Sequence, residues 1–279
     1  MVESRPSRTA IWVSLWRGLD RFDRSPLVRD DVADSLVPGF SSRLLGMARS
    51  SPRAARLVLG MLDRVSRGRL RHIALRTRAI DEAIEHAIRD GARQIVLLGA
   101  GLDARAWRMD ALRECIVFEV DHPSTQSYKR ARVDGLTPSA REVRFVEVDF
   151  ERQDFGQRLE EAGHRPDERT VFVWEGVTMY LTRAAIDRTL ATAARIAPRG
   201  STLIMTYHSG GRIRTLEFAV RRVGEPFVST FGRAEACALL AAHGFVVVSD
   251  ESDPEWYVRY RSTTCELTIE RLVCSLRRA

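Results

Sequence analysis

Lysine is almost missing from this chain. Lys129 is the only one, so 43 of the 44 basic side chains are arginines. Bases outnumber acids by a net charge of +7 over 279 residues, yet no Arg-rich block or tail gathers the excess. Charge spread this evenly reads as compositional bias rather than the clustered stripe that nucleic-acid binding uses. No nucleic-acid partner is therefore expected, although a basic surface would help to draw in an anionic substrate. Cysteine is scarce too. Cys115, Cys237, Cys265 and Cys274 form no C-x-x-C pair and stand near no histidine at zinc-ligand spacing. That excludes a zinc module and leaves structural thiols, with no metal and no disulfide, as the expectation. Long apolar runs are lacking as well: the longest begins at Ile95 and breaks at Asp103, far short of the ~20 residues of a membrane helix. The stretch through Trp16 has neither the long apolar core nor the cleavage site of a secretory leader. A soluble, cytoplasmic protein with no membrane partner is expected, and nothing fixes its oligomeric state. No internal repeat is visible.

What is present is ordinary globular composition, 44% hydrophobic and 29% charged, enough for one large domain or two small ones. The first ~75 residues read as helical segments punctuated by Pro26, Pro38 and Pro52, with Trp12, Leu15, Trp16 and Leu19 on one face. A clearer stripe follows: Ile73, Thr77, Ile80, Ala83, Ile84, Ala87 and Ile88 recur at helical spacing until Gly91 stops the helix. Thereafter short β-like runs alternate with helical ones. Strands are expected at 94–98, 116–120, 144–148, 171–174, 202–206, 245–249 and 270–276. Helices are expected from the Thr182 cap to the Gly200 turn and over 233–243. This alternation predicts an α/β fold: a mostly parallel, Rossmann-like sheet of seven strands with helices on both faces.

The sharpest local feature is Gly99-Ala100-Gly101-Leu102-Asp103-Ala104-Arg105, directly after the apolar run Val96-Leu97-Leu98. A buried strand ending in G-x-G and running toward a helix lets the backbone turn tightly and come close to a ligand. The second strand ends at Asp121, twenty residues after Gly101, where a carboxylate can accept both hydroxyls of a ribose. The third ends near Asp149-Phe150, suited to an adenine amine and ring face, and the fourth at Glu175. To this point a nicotinamide dinucleotide and S-adenosylmethionine fit equally. Charge separates them. A pyrophosphate avoids carboxylates, whereas a sulfonium with an α-amino group tolerates an acidic rim, and Asp103 sits within the glycine turn itself. S-adenosylmethionine is favoured, with a nicotinamide oxidoreductase as the alternative.

These residues resemble the leucine carboxyl methyltransferase family of class I S-adenosylmethionine-dependent methyltransferases, particularly its bacterial small-molecule branch. The resemblance runs from Thr9-Ala10-Ile11-Trp12 and Pro26-Leu27-Val28-Arg29-Asp30 through Arg76-Thr77-Arg78-Ala79-Ile80-Asp81 to the glycine turn. It continues through Phe118-Glu119-Val120-Asp121-His122-Pro123, Val148-Asp149-Phe150, Glu175-Gly176-Val177-Thr178-Met179-Tyr180-Leu181, Gly224-Glu225-Pro226-Phe227 and His243-Gly244-Phe245. It departs at Asp31-Val32, where a more helix-like pair is expected.

The resemblance implies that Gly99, Gly101 and Asp103 lie along the cofactor's methionine part. Asp121 and His122 would sit at the ribose, Asp149 and Phe150 around the adenine, and Glu175 beside the methionine moiety. Arg76 would bind the cofactor carboxylate. Its spacing from Ile80 independently places it on the buried stripe, with Arg78 pointing away, and a buried charge needs a partner, whether cofactor or protein carboxylate. Tyr180 would donate its hydroxyl to the substrate carboxylate, so Tyr180 and Arg76 are the candidate catalytic residues.

The implied reaction is methyl esterification of a small-molecule carboxylic acid, with O-methylation of a phenol or alcohol as the alternative. A carboxylate is ionised at neutral pH and needs no general base; a hydroxyl acceptor would, and His122 and His208 are the candidates. Residues 1–75 are expected to form a helical lid and substrate-binding segment, and 76–279 the cofactor-binding domain, with 208–233 as an insertion over the substrate pocket. Trp12, Trp16, Phe22, Phe40, Phe218 and Phe227 are available to line that pocket.

Overall fold

Seven strands order themselves β3-β2-β1-β4-β5-β7-β6 in the computed structural model, which describes residues 7–66, 71–150, 152–209, 227–265 and 270–278. They are β1 (Gln94–Leu98), β2 (Ile116–Asp121), β3 (Glu142–Glu147), β4 (Thr170–Trp174), β5 (Thr202–Tyr207), β6 (Phe245–Ser252) and β7 (Arg271–Arg277). β1 to β5 are parallel, and β7 inserts antiparallel between β5 and β6. β1 and β4 are buried along their whole length, as unbroken apolar runs between two helical layers should be. Successive side chains alternate between those layers. Ile95, Leu97, Val117 and Val173 join the core under Leu75, Ile80 and Ile84. Val96, Leu98, Phe118 and Trp174 join the one under Ile186, Leu190 and Ala193.

Strand order reverses between β2-β1 on one side and β4-β5 on the other. A crevice opens at such a switch point beyond the carboxyl ends of β1 and β4, and that is where the glycine turn and Glu175 fall.

Helices α1 (Arg8–Asp20), α2 (Ala33–Leu36), α3 (Gly39–Ser50) and α4 (Pro52–Ser66) come first in the chain. The striped helix α5 (Arg71–Arg89) ends before Gly91, whose φ of +102° suits glycine. α6 (Arg105–Arg108) follows the glycine turn and α7 (Pro123–Val133) follows β2; α8 (Phe155–Glu161) lies between β3 and β4. Thr182 caps α9 (Arg183–Ile196) by accepting from the Ala185 N–H. α10 (Arg233–Ala242) leads into β6, and α11 (Asp253–Arg261) follows it.

Three expectations shift. β6 runs on to Ser252 through an irregularity between Val247 and Ser249; as an edge strand it lacks the apolar run that marks a buried one. Trp12 is half exposed, edge-on to Trp16 at 5.3 Å, rather than buried with Leu15 and Trp16. Phe40 points outward on α3, away from any pocket lining. Among the described residues no helix is long and apolar enough to cross a membrane.

Candidate active site

The glycine turn is built by backbone conformations that side chains resist. Gly99 and Gly101 hold φ values of +70° and +49°, in the left-handed region that glycine enters freely. The Gly99 and Ala100 N–H groups donate to the Val120 carbonyl, at 2.8 and 3.1 Å, which ties the turn to the end of β2. Asp121 completes the tie. Its Oδ2 accepts from the Gly101 N–H at 2.5 Å and its Oδ1 from the His122 N–H at 2.6 Å. Burial pushes the Asp121 carboxyl above its ordinary pKa despite those two donors. His122 caps α7, its Nδ1 facing the Ser124 hydroxyl at 2.8 Å, so that nitrogen is engaged at the helix start.

α1 lies across this turn. The Ala10 Cβ would be 3.5 Å from a Cβ at Gly101, and the buried Arg17 donates to the Leu102 carbonyl while its Nε meets Asp30. The N-terminal helix and the glycine turn are thereby one packed unit.

Below the turn is a buried set of charges. Arg105, fully buried, meets Asp81 at 2.8 Å, Glu175 at 2.7 Å and Asp103. Arg108 doubles the contact to Asp81. Arg76 reaches Glu175 at 2.8 Å and Glu270 at 2.5 Å. Burial alone would raise the Glu175 carboxyl, but Arg105 and Arg76 more than offset it and hold the group below its usual range. Asp103 is likewise depressed, burial being outweighed by Arg105.

Arg76 is thus inward-facing, as its spacing predicts, while Arg78 lies half exposed beside Glu82. The partners shown for Arg76 are protein carboxylates. Asp103 turns onto Arg105, pairing with its guanidinium and its backbone N–H.

Glu270 links this set to a second one. Its Oε2 also faces His72 Nε2 at 3.4 Å, and His72 Nδ1 meets Asp253 at 2.7 Å. Burial pulls the His72 pKa down, but Asp253 and Glu270 overcome both that and the nearby Arg76, raising it to about 9 from 6.5. A folded-state pKa above the unfolded one means that the charged ring stabilises the fold fully below about pH 6.5, and that this contribution disappears as pH rises through 9. The melting temperature should therefore fall between pH 7 and 10, and His72→Gln should flatten that fall; parallel curves for the two proteins would refute the linkage.

A further pair underlies β2. Glu119 and Lys129, both fully buried, meet at 2.6 Å. Burial lifts the Glu119 carboxyl to about 7 while Lys129 pulls it back.

The remaining candidates line the same edge. Asp149, two residues past β3, has its N–H on Gln153 Oε1 at 2.9 Å, and Phe150 packs on Phe155. Tyr180 ends a short turn of 3-10 helix (Thr178–Tyr180) directly after Glu175. Its ring lies 5.9 Å from Phe227, which stacks on the buried His208 at 4.8 Å. Sequence reasoning did not single out Arg105, Arg17, Arg108, Asp81, Glu270, His72 or Asp253 as functional. Arg105, six residues past the first glycine and at the start of a helix, carried a usable signal. The Arg76–Glu270 contact spans 194 residues and had none.

A mostly parallel sheet of this order, with β7 antiparallel, a glycine turn at β1, a carboxylate closing it from β2 and a second beyond β4, defines a class I methyltransferase. A sequence profile described as leucine carboxyl methyltransferase matches residues 10–194, and the chain belongs to that family. A protein of Mycobacteroides abscessus is 32% identical over 268 residues, covering 90% of this chain and 86% of its own. One of Mycolicibacterium smegmatis is 37% identical over 220 residues, covering 78% and 71%. Both are named provisionally as S-adenosyl-L-methionine-dependent methyltransferases. Among solved structures, a DUF574 family protein of Streptomyces avermitilis superposes with a TM-score of 0.62 at 13% identity over the full length of both chains. An O-methyltransferase family protein of Burkholderia thailandensis gives 0.50 at 13% identity, covering 77% of this chain and 60% of its own. This chain is an S-adenosylmethionine-dependent methyltransferase.

The residues present fit that cofactor. A Cβ at Gly99 would lie 2.5 Å from Val177 Cγ2, so any side chain there would push Val177 or the turn out of place. Each Asp121 oxygen already bound to a backbone N–H keeps a lone pair for a ribose hydroxyl. Asp121→Asn keeps the shape but sets an NH2 against one of the backbone donors and removes the charge. It should weaken S-adenosylhomocysteine binding by about 1.5–3 kcal/mol, as read by calorimetric titration; unchanged affinity would exclude Asp121 from the site.

Proposed function

We propose that this protein esterifies a carboxylate of a small molecule, transferring a methyl group from S-adenosylmethionine to a carboxylate oxygen. When bound, that cofactor supplies an electrophilic methyl on a sulfonium and leaves as a neutral thioether.

The protein's own work is holding and aligning. Gly99 and Gly101 let the backbone pass under the methionine part, Asp121 takes the ribose, and Asp149 with Phe150 frames the adenine. Glu175 receives the α-amino group, and Arg76 the cofactor carboxylate. α1, packed on the turn through Ala10 and Arg17, keeps water from the methyl. Tyr180 orients the acceptor by donating its hydroxyl to the carboxylate.

The observation that carries this reading is the placement of Tyr180, half-buried against Phe227 and five residues past Glu175 on the same sheet edge. It offers a neutral donor to an acid that is already ionised and needs no base. The family's description, leucine carboxyl methyltransferase, points the same way. The N-terminal helices and the 208–233 segment would shape the acceptor pocket; of the latter, 210–226, including Phe218, lie outside the described residues.

A phenol or alcohol acceptor is the second reading, favoured by His208 in the same aromatic cluster as Tyr180. Methyl-labelled cofactor incubated with mixed carboxylic acids and phenols decides between them. A methyl ester gives up its label as methanol in mild alkali, whereas an aryl or alkyl ether keeps it. Alkali-stable product alone would overturn the carboxylate reading.

A further inference from the structure

Helices α3 and α4 form a hairpin whose outer surface is apolar. Phe40 and Met47 on α3 and Leu57, Val58, Met61 and Val65 on α4 are 50–78% exposed. On α4 these positions recur at three-, four- and seven-residue spacing and cover an arc of roughly 100°. Ala55, Leu59 and Leu62, on the opposite side, are half-buried, and Leu59 faces Trp16 and Ala74 in a small cleft against α1 and α5. The stripe therefore looks away from the body of the protein and does not close over the site.

Arginine borders it. Arg53 and Arg56 are exposed on the arc flanking the α4 stripe, and Arg43 flanks Phe40 and Met47 on α3. Across residues 39–66 the sequence places Arg43, Arg49, Arg53, Arg56 and Arg64 against a single acid, Asp63, which is paired with Arg71; Arg49 is itself paired with Asp34 on α2. A stripe of this composition has three sectors: inward-packed, apolar-outward and cationic. Such a helix lies in the interface of an anionic lipid surface, its apolar side chains among the acyl chains and its arginines on the headgroups.

We propose that the α3–α4 hairpin docks this protein on an anionic membrane surface. The expectation of no membrane partner came from the lack of a spanning run, and a helix lying in the interface needs none. Charge decides against a second copy as the occupant, because pairing two such faces would press like-charged arginine borders together as they desolvate. The inference stands on the hairpin alone and does not depend on which acceptor is methylated.

The test is co-sedimentation of the full chain with vesicles of phosphatidylcholine alone and of equimolar phosphatidylcholine and phosphatidylglycerol. Binding is expected on the mixed vesicles only, declining as salt screens the arginines. Met61→Asp and Arg53→Glu sit at exposed positions, so circular dichroism should match the parent protein. Each should lower the bound fraction, with affinity falling roughly fivefold or more. In Leu57→Trp, the added tryptophan emission should shift to the blue on mixed vesicles. No binding to anionic vesicles, or binding that Met61→Asp leaves intact, would overturn the proposal. So would self-association in buffer that Met61→Asp abolishes in a protein that ignores vesicles, since a second copy would then be what covers the stripe.

Discussion

Arg105→Met should be among the most damaging single substitutions in this protein. The methionine would fill most of the space, so the loss is one of charge. Asp81, Asp103 and Glu175 converge on one fully buried guanidinium, and Arg76 and Arg108 satisfy only part of what remains. Removing one member of a buried ionic set strands the others, at about 3–5 kcal/mol. For a chain of this size that lowers Tm by ~6 °C or more. The pH dependence identifies the cause. In the parent protein the depressed carboxyls contribute stability above their ordinary pKa values, and this is lost as pH falls. Without Arg105, burial dominates and the carboxyls favour protonation, so the gap between variant and parent should narrow from pH 7 to pH 5. A gap that stays constant would mean that packing, not charge, was lost. Asp103→Asn in the same chain should recover part of the stability.

Gly99→Ala should disable the cofactor cradle. The new Cβ meets Val177 Cγ2 at 2.5 Å, an overlap that must be relieved by moving either Val177 or the turn, typically at about 1–3 kcal/mol. A φ of +70° adds about 1–2 kcal/mol for any residue with a Cβ. Gly101→Ala separates the two effects. Its nearest neighbour, Ala10 Cβ, is 3.5 Å away, so it bears the conformational cost with little overlap. Val177→Ala combined with Gly99→Ala should recover the steric part of the loss and leave the rest. Thermal melts report the stability, and titration with S-adenosylhomocysteine reports the cradle. Equal losses for Gly99→Ala and Gly101→Ala would show that Val177 yields without cost.

The sheet and its active edge were legible in the sequence for a physical reason. Strands buried on both faces are continuous apolar runs, and glycines and carboxylates punctuate their ends, so β1, β2 and β4 and the residues Gly99, Gly101, Asp121 and Glu175 stand out locally. The Ile80 stripe likewise placed Arg76 inward and Arg78 outward. What stayed hidden was pairing across long separations. Nothing near Arg76 announces Glu270, and nothing near His72 announces Asp253. α11 does carry a local signal: Ser252 and Glu255 form a reciprocal cap, a pattern readable as Ser-x-x-Glu. The short α8 carries too few apolar positions for its period to show.

The isolated lysine has a practical consequence. Apart from the histidines, every other basic side chain here is a guanidinium, and the single ε-amine sits beneath β2, locked to Glu119 and enclosed on all sides. Reagents that acylate amines will find no side-chain target on the native fold. Uptake at Lys129 then becomes a one-site clock for opening of the β2–α7 layer, readable by mass spectrometry without any engineered probe.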